Sequence, residues 1–243
     1  MRPSVLYSNA IIAVRENLLL NYNQIKRMIA ANSFADAAYI FFECGYDESV
    51  LTSSGDNEDH IINDEAKRCV ELFQKLCPDA NVLAAVLAKY DYHNARVLYK
   101  SRFCEISIPE ATFSFGSIPL AKIERAISRR EYAFLPKTLK SALGTLDNIQ
   151  TPTANEIDTQ FDQPLHNEIK GKTSKINSES IRQYFLRSDE TFLKHAGDVF
   201  CLEKLLKWFI MKQRELKIVK AILMGKKLGA SRDKIRELVK GVQ

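Results

Sequence analysis

The sequence predicts an all-α fold, and three observations predict it. Apolar residues recur at three- and four-residue spacing through most of the chain, which gathers them on single helix faces. No stretch alternates apolar and polar residues over more than four positions, as a half-buried strand would. The 243 residues include nine glycines and seven prolines, few for a fold built on many tight turns.

A first helix is read over residues 7–20, with Ile11, Ile12, Arg15, Leu18 and Leu19 near helical spacing. Asn21 and Asn23 break it, and a second helix runs from Tyr22 or Asn23 to about Ala31. Ser33 caps a third, which continues through Cys44, with Gly45 placed as its C′ residue. Residues 47–59 are acidic and polar around Gly55 and read as a loop. From Asp59 to Leu76 a stripe of Ile62, Ala66, Cys69, Val70, Phe73, Leu76 and Cys77 predicts an amphipathic helix that Pro78 stops. The next helix covers residues 81–103, with Asn81 as N-cap and an apolar face of Leu83, Val86, Leu87, Tyr90, Asn94 and Val97. The two helices on either side of Pro78 are expected to form an antiparallel hairpin.

Five of the seven prolines lie between Pro109 and Pro164, and this region reads as shorter helices. Pro119 opens one at its first position, and Leu135-Pro136 starts another that runs from Lys137 to about Asn148. Ile157, Phe161, Leu165 and Ile169 mark a third, ended by Gly171, and a fourth covers Ile181 to about Lys194. The longest C-terminal helix is expected over Val199–Met224, with Leu202, Leu205, Leu206, Phe209, Leu216, Val219 and Leu223 inside. Gly225 to Gly229 then turns the chain, and Ser231 begins a last helix that buries Ile235, Leu238 and Val239. The expected organisation is an N-terminal unit (1–106), a Pro-interrupted unit (107–195) and C-terminal helices (196–243).

No apolar run approaches the ~18 residues of a spanning helix, and no secretory leader is expected. Cys44, Cys69, Cys77, Cys104 and Cys201 are odd in number and form no C-x-x-C pair. That pattern fits free thiols in a reducing compartment, by default the cytoplasm. The net charge is +5, but Lys204–Gln243 holds twelve Lys or Arg against three Asp or Glu. Such a segment points to an acidic partner, an anionic surface or nucleic acid, or else to a solvated helix face.

The candidate chemistry is sparse. Gly171-Lys172-Thr173 resembles the end of a phosphate loop, but His166 stands where that motif needs its first glycine and no strand precedes it. His60, His93, His166 and His195 show no ligand spacing. Neither a metal nor a cofactor is expected. Tyr90, Tyr92 and Tyr99 with Arg96, Lys100 and Arg102 could form a stacking surface for nucleic acid, but Tyr90 lies on the apolar stripe and is expected in the core. His93 and Asn94 are expected to make hydrogen bonds that fix the packing of two helices.

Tyr90-Asp91-Tyr92-His93-Asn94-Ala95-Arg96-Val97-Leu98 resembles the Y-D-x-H-N-x-R-x-L helix of the C subunit of V-type (A-type) ATPases, called subunit d in eukaryotes. Asn32 to Tyr46 is similar to that family's early helix, and Glu215 to Lys226 to its terminal E-x-x-N-I-R-x-I-x-x-G-K helix. Ile218 stands at the family's Asn in the last motif, and no I-D-x-x-N pattern is visible near Arg187 to Leu193. The chain is shorter than the usual member, with the missing part expected after about Lys194.

The resemblance implies helical hairpins in weakly repeated units and no catalytic residue. It implies a peripheral protein on the cytoplasmic face of the membrane. There it would link the central shaft of a rotary ATPase or ATP synthase to the membrane rotor ring during ion transport. Lys204, Lys207, Lys212, Lys217, Arg232 and Arg236 are the candidate partner-binding residues, projecting from the basic segment. The motif residues Tyr90, Asp91, His93, Asn94 and Arg96 are structural candidates. The alternative reading is a basic all-helical nucleic-acid-binding protein, which rests on the C-terminal charge alone.

Overall fold

The computed structural model describes residues 2–45, 57–103, 108–188, 190–196 and 198–241. Among these residues there are thirteen helices and no strand, so the chain is all-α as the spacing predicts. Its internal contacts divide it into two units, Met1–Leu76 with Ala196–Gln243, and Cys77–His195. The units meet along the chain at Leu76–Cys77 and at His195–Ala196.

The first unit holds α1 (Val5–Glu16), α2 (Tyr22–Ala30), α3 (Phe34–Glu43), α4 (Glu58–Leu76), α12 (Leu202–Lys227) and α13 (Arg232–Lys240). Local chemistry sets most of their starts. The hydroxyls of Ser4, Ser33 and Ser231 each accept the backbone N–H three residues on, and Asn21 with Gln24 forms a complete capping box. Gly45 takes φ +93° just past α3, which a side chain would strain.

Helix α12 is the centre of this unit and packs on α1, α2, α3, α4 and α13. Phe73 of α4 and Phe209 of α12 meet with ring centroids 4.5 Å apart. The predicted stripe of α4 is buried in full. Two polar side chains dock α1. Ser8 Oγ donates to Leu76 O at 2.6 Å, and Asn9 Nδ2 donates to Val199 O and Cys201 O at 2.7 and 2.8 Å.

Several expectations are corrected here. Helix α1 ends at Glu16, and of its predicted stripe only Ile12 is fully buried, beside Ser8 and Asn9. Helix α12 runs past Gly225 to Lys227 instead of turning there. A Cβ on Gly225 would lie 2.7 Å from Ile235 Cγ1, so the missing side chain lets α13 close on α12. Leu238 is 46% exposed, not buried with Ile235 and Val239. Most of the expected loop at 47–59 lies outside the described residues, while Glu58 and Asp59 already belong to α4.

The second unit holds α5 (Ala80–Lys100), α6 (Ile108–Ala111), α7 (Leu120–Arg129), α8 (Lys137–Asp147), α9 (Ala154–Thr173), α10 (Glu179–Arg187) and α11 (Phe192–His195). Helices α5 and α9 pack along each other, with α7 on α5 and with α8 and α10 on α9. Tyr92, Leu98, Ile123, Leu143 and Phe161 belong to the core between them. Within the first unit α4 takes α12 as its main partner, and within the second α5 takes α9.

Asp79, not Asn81, caps α5, accepting from Asn81 N at 2.7 Å and Val82 N at 3.2 Å. Pro119 is the N-cap of α7 and not its first helical residue. Gly171 lies inside α9, and the expected helix over 181–194 ends at Arg187, where Ser188 turns left-handed at φ +52°.

Candidate functional site

The motif stretch of α5 is buried on more than one face. Val82, Ala85, Tyr92, Ala95, Leu98 and Tyr99 are buried, whereas Leu83, Tyr90 and Val97 of the predicted face are only half-buried. Tyr90 is therefore not a core residue. Its ring meets Phe113 and Phe115 edge-on, with centroids 5.3 and 4.8 Å away.

The polar residues of the motif hold Ala111, the last residue of α6, and the strap 112–118 that follows it. Asn94, 1% exposed, accepts from Phe113 N at 2.8 Å and donates to Phe113 O at 2.9 Å, so both ends of its amide are satisfied. His93 Nε2 lies 2.9 Å from Ala111 O. Asp91 accepts from Ser117 N, Ile118 N and the Ser117 hydroxyl. Burial pushes the Asp91 carboxyl above its ordinary value, and the hydrogen bonds from Ser117 and Ile118 pull against that shift. A Cβ on Gly116 would stand 2.4 Å from Asp91 Oδ1, so the strap passes where only glycine fits. His93 and Asn94 thus make structural hydrogen bonds, His93 to the last residue of a second helix, α6, and Asn94 to the strap after it.

The basic residues of the same helix face are not a solvated surface. Arg96 reaches Asp162 at 2.7 Å and Asp158 at 3.5 Å, and Lys100 reaches Asp158 at 2.7 Å. Arg102 lies 3.3 Å from Asp147, whose carboxylate also accepts from Tyr99 and Tyr132. The only trace of these partners in the sequence is that Asp158 and Asp162 on α9 repeat the four-residue spacing of Arg96 and Lys100 on α5. With Tyr92 and Tyr99 buried, a stacking platform for bases is not formed there.

The C-terminal basic set divides by environment. Lys217, Arg232 and Arg236 are exposed, and Lys207 is half-buried. Lys204 is only 12% exposed at its side chain and lies 3.4 Å from Glu16 of α1. Lys212 does not project outward at all. It is 6% exposed, donates to Glu215 at 2.7 Å and lies 3.5 Å from Glu65. Burial lowers its pKa, and Glu215 opposes that shift.

Further lysines also bond to the chain itself. Lys226 donates to Ile29 O and Ala31 O at the end of α2, Lys220 pairs with Asp59, and Lys227 with Glu58. Five lysines of α12, Lys204, Lys212, Lys220, Lys226 and Lys227, therefore join it to the N-terminal helices.

Gly171-Lys172-Thr173 falls in the last turn of α9, where carbonyls and not N–H groups are exposed, and Lys172 pairs with Glu168 at 2.9 Å. Among the described residues no group of three or more His, Cys, Asp or Glu is arranged to hold a metal ion. Cys44, Cys69 and Cys201 are free thiols, Cys77 is buried, and Cys104 lies outside the described residues.

A family model described as the ATP synthase (C/AC39) subunit matches residues 8–188. The match runs from α1 to the end of α10 and takes in two of the three recognisable stretches; the third, Glu215 to Lys226, lies beyond it. No curated protein matches the chain.

Proposed function

The chain belongs to the ATP synthase (C/AC39) subunit family, and on that ground we propose that it is a non-catalytic coupling subunit of a rotary V-type ATPase or ATP synthase. In this reading it sits on the cytoplasmic face of the membrane, receives the central shaft and bears on the rotor ring. It transmits torque during ion transport and performs no chemical step. The observation that carries the proposal is the family match over about three quarters of the chain. Among the described residues no helix is long and apolar enough to cross a membrane; the proposed link to the bilayer runs through the ring.

A part that transmits torque must resist deformation. The bonds from Lys204, Lys212, Lys226 and Lys227 to the N-terminal helices support that role, since they tie α12 to three other elements, α1, α2 and α4. The contact residues we propose are those left on the surface: Lys217, Arg232 and Arg236. The nucleic-acid alternative is weakened by the same pairing, which spends much of the basic segment inside the chain. Phosphate binding draws on unspent charge.

The test is affinity capture of the tagged chain from detergent-solubilised membranes of its source. Shaft and ring subunits identified by mass are the expected companions. Their absence, together with steeply salt-dependent retention of DNA or RNA, would transfer the chain to the alternative.

A further inference from the structure

Arg96, Lys100, Arg102 and Lys172 of the second unit each lie against a carboxylate. The segment 119–141 is different. It holds six Lys or Arg against two Asp or Glu. Lys122, Arg125 and Arg129 of α7, with Lys137 and Lys140 of α8, are exposed, and none of the five has an ion-pair partner among the described residues. The sixth, Arg130, lies 3.9 Å from Asp147.

Helix α7 sorts these charges by face. Ile123, Ala126 and Ile127 are its buried side. Lys122, Arg125 and Arg129 recur at i, i+3 and i+7, so they form one stripe along about 10 Å of the helix. Glu124 falls on the opposite flank of the buried side. The loop that follows is anchored, because Tyr132 and Leu135 are buried and Leu135 N donates to Tyr132 O at 3.1 Å. Phe134 between them is 53% exposed, and Ala133 is exposed next to it.

The three cations are spread along a helix and do not converge on a point, which suits an extended anionic surface more than a discrete anion. Cations without partners, followed at once by a phenyl ring in water, suit a bilayer surface in particular. The cations meet headgroup phosphates, and the ring enters the boundary between headgroups and acyl chains.

We propose that α7 and the loop after it bind an anionic lipid surface, through Lys122, Arg125, Arg129 and Phe134. This goes beyond the coupling role, and the isolated full chain tests it without shaft or ring.

Co-sedimentation with vesicles is the measurement. Vesicles of equal parts phosphatidylcholine and phosphatidylglycerol should retain the chain, and phosphatidylcholine alone should not. Retention should fall as salt rises. Lys122→Glu, Arg125→Glu and Arg129→Glu together should weaken it by about tenfold or more, since each basic residue near an anionic surface contributes. Phe134→Ser should weaken it by about threefold or more and leave the salt dependence as it was. All four positions are exposed, and far-ultraviolet circular dichroism checks folding; if the triple variant does not fold, Phe134→Ser decides. Equal retention by the two kinds of vesicle, or unchanged retention of the folded variants, would overturn the proposal. Two further results would do the same. Release by inorganic phosphate at constant ionic strength would mean a discrete phosphate site, and release by poly-glutamate under the same conditions would give the face to an acidic protein.

Discussion

Lys212 donates to Glu215 across 2.7 Å, and both residues are withdrawn from water, each 6% exposed. Glu215 also accepts from Leu20 N at 2.5 Å, so one carboxylate holds a buried lysine and the chain just after α1. Removing one partner of a buried pair strands the other, whereas removing both does not. Glu215→Leu should therefore cost about 3–5 kcal/mol, and Lys212→Met combined with Glu215→Leu should cost less than Glu215→Leu alone. Equilibrium urea unfolding of the three proteins measures the order. A double variant less stable than the single would assign Glu215 mainly to holding Leu20.

Asn94 satisfies both the N–H and the carbonyl of Phe113. Asn94→Leu keeps the volume near but leaves those two backbone groups without partners. The expected loss is roughly 1–3 kcal/mol, read as a lower melting temperature. An unchanged melting temperature would mean that the strap finds other partners, water included.

Three glycines allow a matched comparison. Gly116→Ala would push a methyl against the Asp91 carboxylate, which must then leave its hydrogen bonds, at a cost of roughly 1–3 kcal/mol. Gly144 in α8 and Gly171 in α9 have nothing within 4 Å of the added Cβ. There Ala should stabilise by about 0.5–1 kcal/mol, because a helix interior favours it over Gly. Thermal unfolding of the three variants should separate them by sign.

Asp91 also makes a prediction about pH. Its folded pKa is raised above the ordinary value of 3.8, with burial the largest cause. In the window above 3.8 the native state therefore holds more protons than the unfolded state, and stability falls as pH rises. The contribution is fully present below 3.8 and is lost as pH climbs through the folded pKa. The stability of wild type minus that of Asp91→Asn, measured by urea unfolding at successive pH values from about 3 upward, should accordingly decline with pH. A difference that rises instead would mean that the three donors outweigh burial and hold the carboxylate ionised.

These residues also show how far the sequence can be read. The stripe of α4 and the caps at Ser33 and Ser231 were legible, because spacing and capping are decided within one or two turns. Asp79 and Asn81 are both good caps in sequence, and only the backbone geometry chooses Asp79. Gly225 read as a turn, since a glycine needed for the approach of Ile235 looks the same in sequence as one needed for φ. The burial of Lys212 was not legible at all. It depends on Glu65 of α4, a helix distant in sequence, and lysine spacing along α12 carries no trace of that neighbour. The cover of α4 by α12 was not legible for the same reason, because the two helices lie far apart along the chain.

The last prediction concerns assembly, and the burial of Lys212 reshapes it. Lys217, Arg232 and Arg236 lie on the surface, and the Arg236–Asp233 pair is exposed on both sides. Exposed charges contribute little to stability, so Lys217→Glu, Arg232→Glu and Arg236→Glu together should leave the isolated fold within about 1 kcal/mol of wild type. If these residues meet an acidic partner, the triple variant should assemble more weakly onto shaft or ring. The deficit should be larger at low salt, where screening is least. Lys212→Glu is the contrast. It sets three carboxylates together out of water and should lose about 3–5 kcal/mol or more before assembly is reached. Reconstitution at two salt concentrations, with melting temperatures for every variant, separates the two routes. Equal assembly of the triple variant and wild type at low salt would remove these residues from the interface and leave them as a solvated face.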